Sequence, residues 1–477
     1  MILAGLRIPL ACAALGAAIL PLAAESDAAY DTIAHDIFKQ LIEIDTSDST
    51  GNVTTAAQAL AQRFRDAGFP PADVTVLGPN DRKKNLVVRL HGTGARKPVL
   101  LIGHLDVVEA RREDWTTDPY QLVEKDGFYY GRGTIDMKDG DAVMAAALIR
   151  MKKEGIRPGR DIIAAFTADE EGGCCNGVSW LLRNHRELID AEFVLNQDDW
   201  SVMAEHGVPR VARLIVTEKL YSDYQLSVTN PGGHSSVPRP DNAIYELARS
   251  LTRLARFQFP FELNGANRGY FEQMANEVAK GEEAADMRAI LKDPPDAQAI
   301  ARLSRDPDNV SLTRTTCVAT RLAGGHANNA LPQRAEAVVN CRIFPGHSKE
   351  EIRETLVKVV NDPRITVRYI ADDGRIFDRA TDERAVAPAP LRPDVLKALT
   401  TLSLPAWPQA RVIPFLDPGA SDAKYTIAAG LPTYTFGGVA VDRDEVRAHG
   451  RDERLAVAEF YKWNRFFYRY VTEISAQ

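Results

Sequence analysis

The 477 residues carry no excess of positive charge: 58 Lys and Arg stand against 65 Asp and Glu, a net charge of −7. A protein that grips nucleic acid regardless of its sequence needs a basic footprint, so that class is excluded. Cysteine is scarce, 5 in all, and no pair has the C-x-x-C spacing of a thiolate zinc site. Beyond residue 24 no run is long and apolar enough to span a bilayer. Internal repeats and low-complexity tracts are lacking too, which sets aside solenoids and compositionally biased tails.

The long apolar run that does exist is at the N-terminus. Residues 8–24 are almost wholly apolar, follow Arg7, and give way through Ala23-Ala24 to Glu25-Ser26-Asp27. This is the pattern of a secretory signal peptide over residues 1–24, with an uncleaved anchor as the alternative. The expectation is a secreted or periplasmic protein with no membrane attachment after cleavage. Cys174, Cys175, Cys317 and Cys341 remain and can form disulfides in such a compartment. Cys317 and Cys341 fall on two expected neighbouring strands, but the sequence does not choose among the three possible connectivities.

The chain is too long for one ordinary core. Hydrophobic residues at 45% and charged residues at 26% are normal for a globular protein. Helical periodicity marks 30–44, 54–67, 139–154 and 176–185, and short apolar runs at 85–90, 98–102, 161–166 and 193–195 read as buried strands. Such alternation predicts an α/β fold, a mostly parallel sheet with helices on both faces. The pattern changes near Leu220. Strands at 224–229, 313–322, 334–344 and 365–370 and helices at 241–254 and 350–360 predict an inserted, smaller α+β domain. Between them, 264–308 is polar, charged and partly helical, and reads as a surface insertion. Pro388, Pro390 and Pro393 mark the return to the first domain, which ends with a helix at 396–402, a strand at 432–436 and a helix at 453–471. The domains are therefore 30–218 with 386–477, interrupted by 219–385.

Acidic and histidine residues gather mostly just past the hydrophobic runs, where open α/β sheets bind ligands. His104-Leu105-Asp106 follows 99–102, Asp169-Glu170-Glu171 follows 161–166, and Asp198-Asp199 follows 193–195. Asp136 and His449 sit in longer loops. Imidazole nitrogen and carboxylate oxygen are zinc donors, and anions converging on one point require a cation. The set supplies two metals about 3.5 Å apart. Asp136 can bridge, His104 with Asp198 or Asp199 can serve one metal, and Glu171 with His449 the other. Asp106, two residues from His104, can hold that imidazole in its tautomer. Glu170 is left over as a carboxylate beside a metal-activated water, the natural general base.

At this point the residues resemble the cocatalytic zinc aminoacylase and carboxypeptidase family, which includes acetylornithine deacetylase, succinyl-diaminopimelate desuccinylase, glutamate carboxypeptidase and carnosine dipeptidase. The resemblance rests on Gly103-His104-Leu105-Asp106, on 130–138 around Asp136, on 167–172 around Glu170-Glu171, and on Gly232-Gly233-His234-Ser235-Ser236. Asn329-Ala330-Leu331-Pro332, Pro418-Gly419-Ala420-Ser421-Asp422 and His449-Gly450-Arg451-Asp452-Glu453 complete it, all in the family's order.

The resemblance implies a zinc-binding catalytic domain interrupted by a lid that in many members dimerises. It implies His104, Asp136, Glu171 and His449 as metal ligands, Asp198 or its rival Asp199 as the fifth, Glu170 as base, and a cis peptide after Asp136. His234 is implied as a donor to the tetrahedral oxyanion, often across a dimer into the partner's site. Asn329 and Arg342 are implied in binding a substrate carboxylate and Gly419 in presenting a backbone group. Two Zn2+ are expected, with Co2+ or Mn2+ able to take their place. The expected reaction is amide hydrolysis of small peptides, as a carboxypeptidase or dipeptidase. The alternatives are an N-acyl amino acid deacylase and a non-catalytic binding protein on the same scaffold, the latter opposed by the intact base and ligand set.

Overall fold

The computed structural model describes residues 27–476 apart from 173, 385–387 and 389; the signal-peptide assignment lies outside the described residues. Two sheets dominate. The larger has ten strands. Its middle is Arg160–Thr167, Arg96–His104, Phe193–Asn196 and Thr433–Thr435, all parallel. Antiparallel strands extend it on both sides: Asn85–Leu90 and Val74–Leu77 on one, Val208–Glu218 and Val202–Glu205 on the other. Arg411–Asp417 and Ala440–Asp442 add parallel pairs on that second flank.

Both faces of the sheet are covered, and the sequence of the central strand shows why. Val99 and Leu101 point into the core shared with the helices Asp27–Ile42, Val53–Asp66, Lys138–Lys153, Pro393–Ala406 and Val457–Ala476. Leu100 and Ile102 point the other way, against Leu181, Ile189 and Leu431. Successive strand residues face opposite sides, so a strand covered on both must be apolar throughout. All four of these residues are fully buried.

The smaller sheet is wholly antiparallel, in the order Thr316–Gly324, Arg334–Ile343, Leu220–Thr229, Thr366–Ile370, Ile376–Phe377. Here burial alternates. Ala335, Ala337, Val339, Cys341 and Ile343 pack with Tyr224, Leu226 and Val228 beneath the helices Ala243–Arg256 and Lys349–Val360. Cys317 and Cys341 are register partners and form a disulfide. Cys174 and Cys175 are bonded to each other.

The 264–308 stretch differs from a surface insertion. It folds into helices including Gly265–Gln273, Gly281–Ile290 and Ala297–Leu303, and it buries Phe271, Met287, Ile290 and Leu303 in the core of the large sheet, not the small one. Tyr270 packs edge-on to Phe415 at 5.4 Å. Its apolar residues are sparse along the chain but recur at helical spacing, so one face is apolar while the composition is polar.

A buried ion pair ties the second helix of the smaller unit. Glu350 accepts from Arg353 at 2.8 and 2.9 Å and from Arg379 and the Ala380 N–H. The bonds to Arg353 hold its carboxyl down at about 2, against an ordinary 4.5. A depressed carboxylate stabilises the fold above its unfolded pKa, and that contribution disappears as pH falls toward the folded value. Thermal melts of Glu350→Gln against wild type will therefore differ most above about pH 5. The gap will close between pH 4.5 and about 2.

Candidate active site

His104 ends the central strand, and the residue before it is glycine for a steric reason. A Cβ at Gly103 would lie 2.6 Å from Asp141 Oδ1 and 2.7 Å from Met137 Cε, the side chains packed over the strand end. The His104 N–H meets Met137 Sδ at 3.3 Å. Met137 follows Asp136 across a cis peptide bond.

Asp136 stands between two imidazoles. Its Oδ1 lies 3.2 Å from His104 Nε2, and its Oδ2 lies 3.0 Å from His449 Nε2. His449 Nε2 is also 2.7 Å from Glu171 Oε1, and His104 Nε2 is 3.6 Å from Asp198 Oδ1. His104, Asp136 and Glu171 each offer a ligand atom within 4.8 Å of the others. Among the described residues no Lys or Arg pairs with Asp136, Glu171 or Asp198. Three carboxylates thus face two imidazoles with no fixed cation, a donor set of oxygen and nitrogen that fits divalent zinc, cobalt or manganese.

The electrostatics record the same imbalance. Burial lowers the tendency of His104 to protonate, but the Asp198 charge and the bonds to Asp136 and Asp198 lift its pKa well above the usual range. Hydrogen bonds to Asp136 and Glu171 push His449 up to about 10. Burial raises Asp136, yet the two imidazoles hold it below ordinary carboxylates. A divalent cation would bind these groups in their deprotonated forms.

The site is assembled from distant segments by one buried carboxylate. Glu453, fully buried, bonds Arg132 at 2.6 Å and accepts the N–H groups of Ile135 at 2.9 Å and Asp136 at 3.3 Å. It thereby pins the loop of Asp136 to the segment that carries His449. Glu453 stands four residues after His449 in the sequence, and that spacing is the one sign of its role that the amino-acid order carries. At the neighbouring strand ends, Asp422 bonds Thr167 at 2.8 Å and Asn176 at 2.6 Å, and Ser421 bonds Asn196 and Glu218.

Asp106 acts differently from the sequence expectation. The His104 Nδ1 partner is the Asp106 main-chain carbonyl at 3.0 Å, while its carboxylate is no closer than 3.8 Å. That carboxylate instead accepts the N–H groups of Glu170 at 3.1 Å and Glu171 at 2.9 Å. It sets the turn on which the two glutamates sit, because a carboxylate attracts main-chain donors as well as a ring nitrogen.

Of the two rivals, Asp198 faces His104. Asp199 is engaged by Arg213 at 3.1 Å and Ser201 at 2.6 Å. Glu170 lines the cleft without a side-chain hydrogen bond among the described residues. Burial, with the Asp198 and Asp422 charges, raises its pKa well above the ordinary range.

The cleft holds about 680 Å3 and is shared by the two sheets. Arg342 and Gly419 line it, with Trp200, Tyr221 and Tyr425. Arg342 lies 4.9 Å over the Tyr221 ring. Lys424, unremarked in the sequence, lines it as well. His234 and Asn329 do not. They sit together at an exposed two-stranded ribbon, Gly233–His234 with Ala330–Leu331, and His234 Nδ1 is 2.8 Å from Ser236 Oγ. Within one chain the structure does not bring them to the metal-ligating cluster.

A family model described as peptidase family M20/M25/M40 matches residues 100–473. The chain is 28% identical over 387 residues to "Probable carboxypeptidase S-like 2" of Dictyostelium discoideum, covering 79% of this chain and 71% of that protein. It is 26% identical over 384 residues to the human N-fatty-acyl-amino acid synthase/hydrolase PM20D1, covering 79% and 74%. The M20 family metallo-carboxypeptidase Sso-CP2 from Sulfolobus solfataricus shares the fold, with a TM-score of 0.69 at 15% identity over 93% of this chain and 99% of that one.

Asp106→Asn keeps the volume but removes one of the two N–H acceptors under the turn. Calorimetric zinc titration of this variant should show affinity about 10- to 100-fold weaker than wild type, the usual cost of losing a group that orients metal ligands.

Proposed function

Because this chain belongs to peptidase family M20/M25/M40, a family of metal-dependent hydrolases, we propose that it hydrolyses the amide bond of small peptides at a centre of two divalent ions. The observation that carries the proposal is Asp136, whose two oxygens face different imidazoles at 3.2 and 3.0 Å. His104 and Asp198 would hold one Zn2+ and His449 and Glu171 the other, with Asp136 placed to serve both. When bound, such a pair lowers the pKa of a shared water and polarises the substrate carbonyl.

The chain's own residues supply the rest. Glu170, whose carboxylate lines the cleft, accepts the proton of the attacking water and returns it to the leaving amine. Arg342 offers a guanidinium to the substrate carboxylate from the smaller sheet. Carboxypeptidase or dipeptidase action places that carboxylate beside the scissile bond. The N-acyl amino acid reading keeps the same geometry, and the human relative named for N-fatty-acyl-amino acids supports it.

The protein is proposed to be exported and to dimerise through the smaller unit. The edge strand Thr316–Gly324 exposes Val318 and Leu322, and the adjoining helix exposes Ile244 and Tyr245. Leu322 is 71% exposed, a large apolar side chain on an open edge. In a dimer His234 of one chain is offered to the partner's cleft.

Two outcomes follow. Glu170→Gln should bind zinc like wild type while kcat on dipeptide or N-acyl amino acid substrates falls by about 10²- to 10⁴-fold; a rate near wild type would remove Glu170 from the mechanism. Leu322→Asp should convert a dimer into a monomer in sedimentation equilibrium, and an unchanged mass would place any interface elsewhere.

A further inference from the structure

We propose that Lys83 is a positioning residue for the turn that carries Glu170 and Glu171, acting through Asp169. The inference rests on the reading of those glutamates as base and metal ligand. Lys83 lies just before the strand Asn85–Leu90, its side chain 11% exposed. Its ammonium is bonded to Asp169 Oδ1, lies 2.6 Å from Asp48 Oδ1 and 3.3 Å from Cys174 Sγ.

Asp169 is the residue immediately before the glutamates. It is 2% exposed and sits at φ +65°, a left-handed conformation that a non-glycine residue keeps only when its surroundings hold it. Its second oxygen accepts the Cys175 N–H. Asp169 therefore closes the loop from 169 to 175 on itself, and Lys83 is the one cation within ion-pair distance among the described residues. A buried carboxylate deprived of its cation turns outward to water.

There is room for it to turn. A cavity of about 360 Å3 is lined by Lys83, Asp169, Gly172, Glu171 and His449. The turn is thus not wedged against solid packing on that side. Asp106 holds its main chain at Glu170 and Glu171, and Lys83 holds it one residue earlier through a side chain. With the second tether cut, the turn relaxes into the cavity. Glu171 then leaves His449, and the metal those two serve is lost in preference to the one held by His104 and Asp198.

The test is a zinc titration by calorimetry joined to steady-state kinetics, on the full-length protein. Lys83→Met should weaken one of two zinc sites by about tenfold or more and leave the other within about twofold. At saturating zinc its kcat should fall about tenfold or more with KM within about twofold. Lys83→Arg should recover most of both losses. Asp169→Asn should reproduce the Lys83→Met pattern, and the double variant should be no worse than either single one, because the two residues form one unit.

Two zinc sites and a kcat unchanged in Lys83→Met would overturn the proposal. Equal weakening of both sites, with KM rising, would also overturn it, since general loosening does not discriminate between them. If Lys83→Met fails to fold, Asp169→Asn carries the same split between sites. A wild type that binds two zinc ions but hydrolyses neither dipeptides nor N-acyl amino acids would sink the hydrolase reading instead, and the zinc titration would still decide the role of Lys83.

Discussion

Three carboxylates and two imidazoles meet at the carboxyl ends of a parallel sheet, and among the described residues no ammonium or guanidinium pairs with those carboxylates. Most of what surrounds the site answers that concentration of charge. Asp136 is shared between His104 and His449, so neither imidazole can move without disturbing the other's partner. The neighbouring carboxylates raise the pKa of both rings. The arrangement is costly for folding and sensible only as a receptor for positive charge, a trade of stability for function that catalytic centres commonly make.

The scaffold converts that local demand into position. A central strand apolar on both faces delivers His104 to its end without freedom to shift. Glu453 reaches from the segment of His449 to Arg132 and to the N–H groups of Ile135 and Asp136, joining parts of the chain about 320 residues apart. Asp106 fixes the glutamate turn through its main chain, and Lys83 with Asp169 fixes it through a side chain. The smaller sheet has its own core, and its contribution to the cleft comes through Tyr221, Asp223, Arg342 and the loop after Ile370. The site is therefore a joint product of two cores.

Much of this was legible in the amino-acid order. Strands covered on both faces must be apolar throughout, and that signature marked three of the four parallel strands at the centre. The strand Arg411–Asp417 was missed because Pro414 argues against a strand; it pairs with a single neighbour, where a missing N–H costs nothing. Val208–Glu218 was missed because Pro209, Arg210 and Arg213 break the apolar run at its exposed start. The clustered histidines and carboxylates could be read as candidate donors because imidazole and carboxylate clusters past strands have few other uses. The work of Asp106 could not, because spacing shows that it neighbours His104 but not which main-chain donors it meets. His234 and Asn329 were expected at the substrate in separate roles, and the fold places both at a ribbon outside the cleft of a single chain. Lys83 left no signal: its partner Asp169 is 86 residues away, and only the folded chain joins them.

The central claim is that Asp136 bridges two metal ions. Anomalous diffraction at the zinc edge from crystals grown with zinc tests it directly. The account predicts two peaks roughly 3.5–4 Å apart, one beside His104 and Asp198 and one beside His449 and Glu171, with one oxygen of Asp136 on each. A single peak, or two that do not share Asp136, would contradict it.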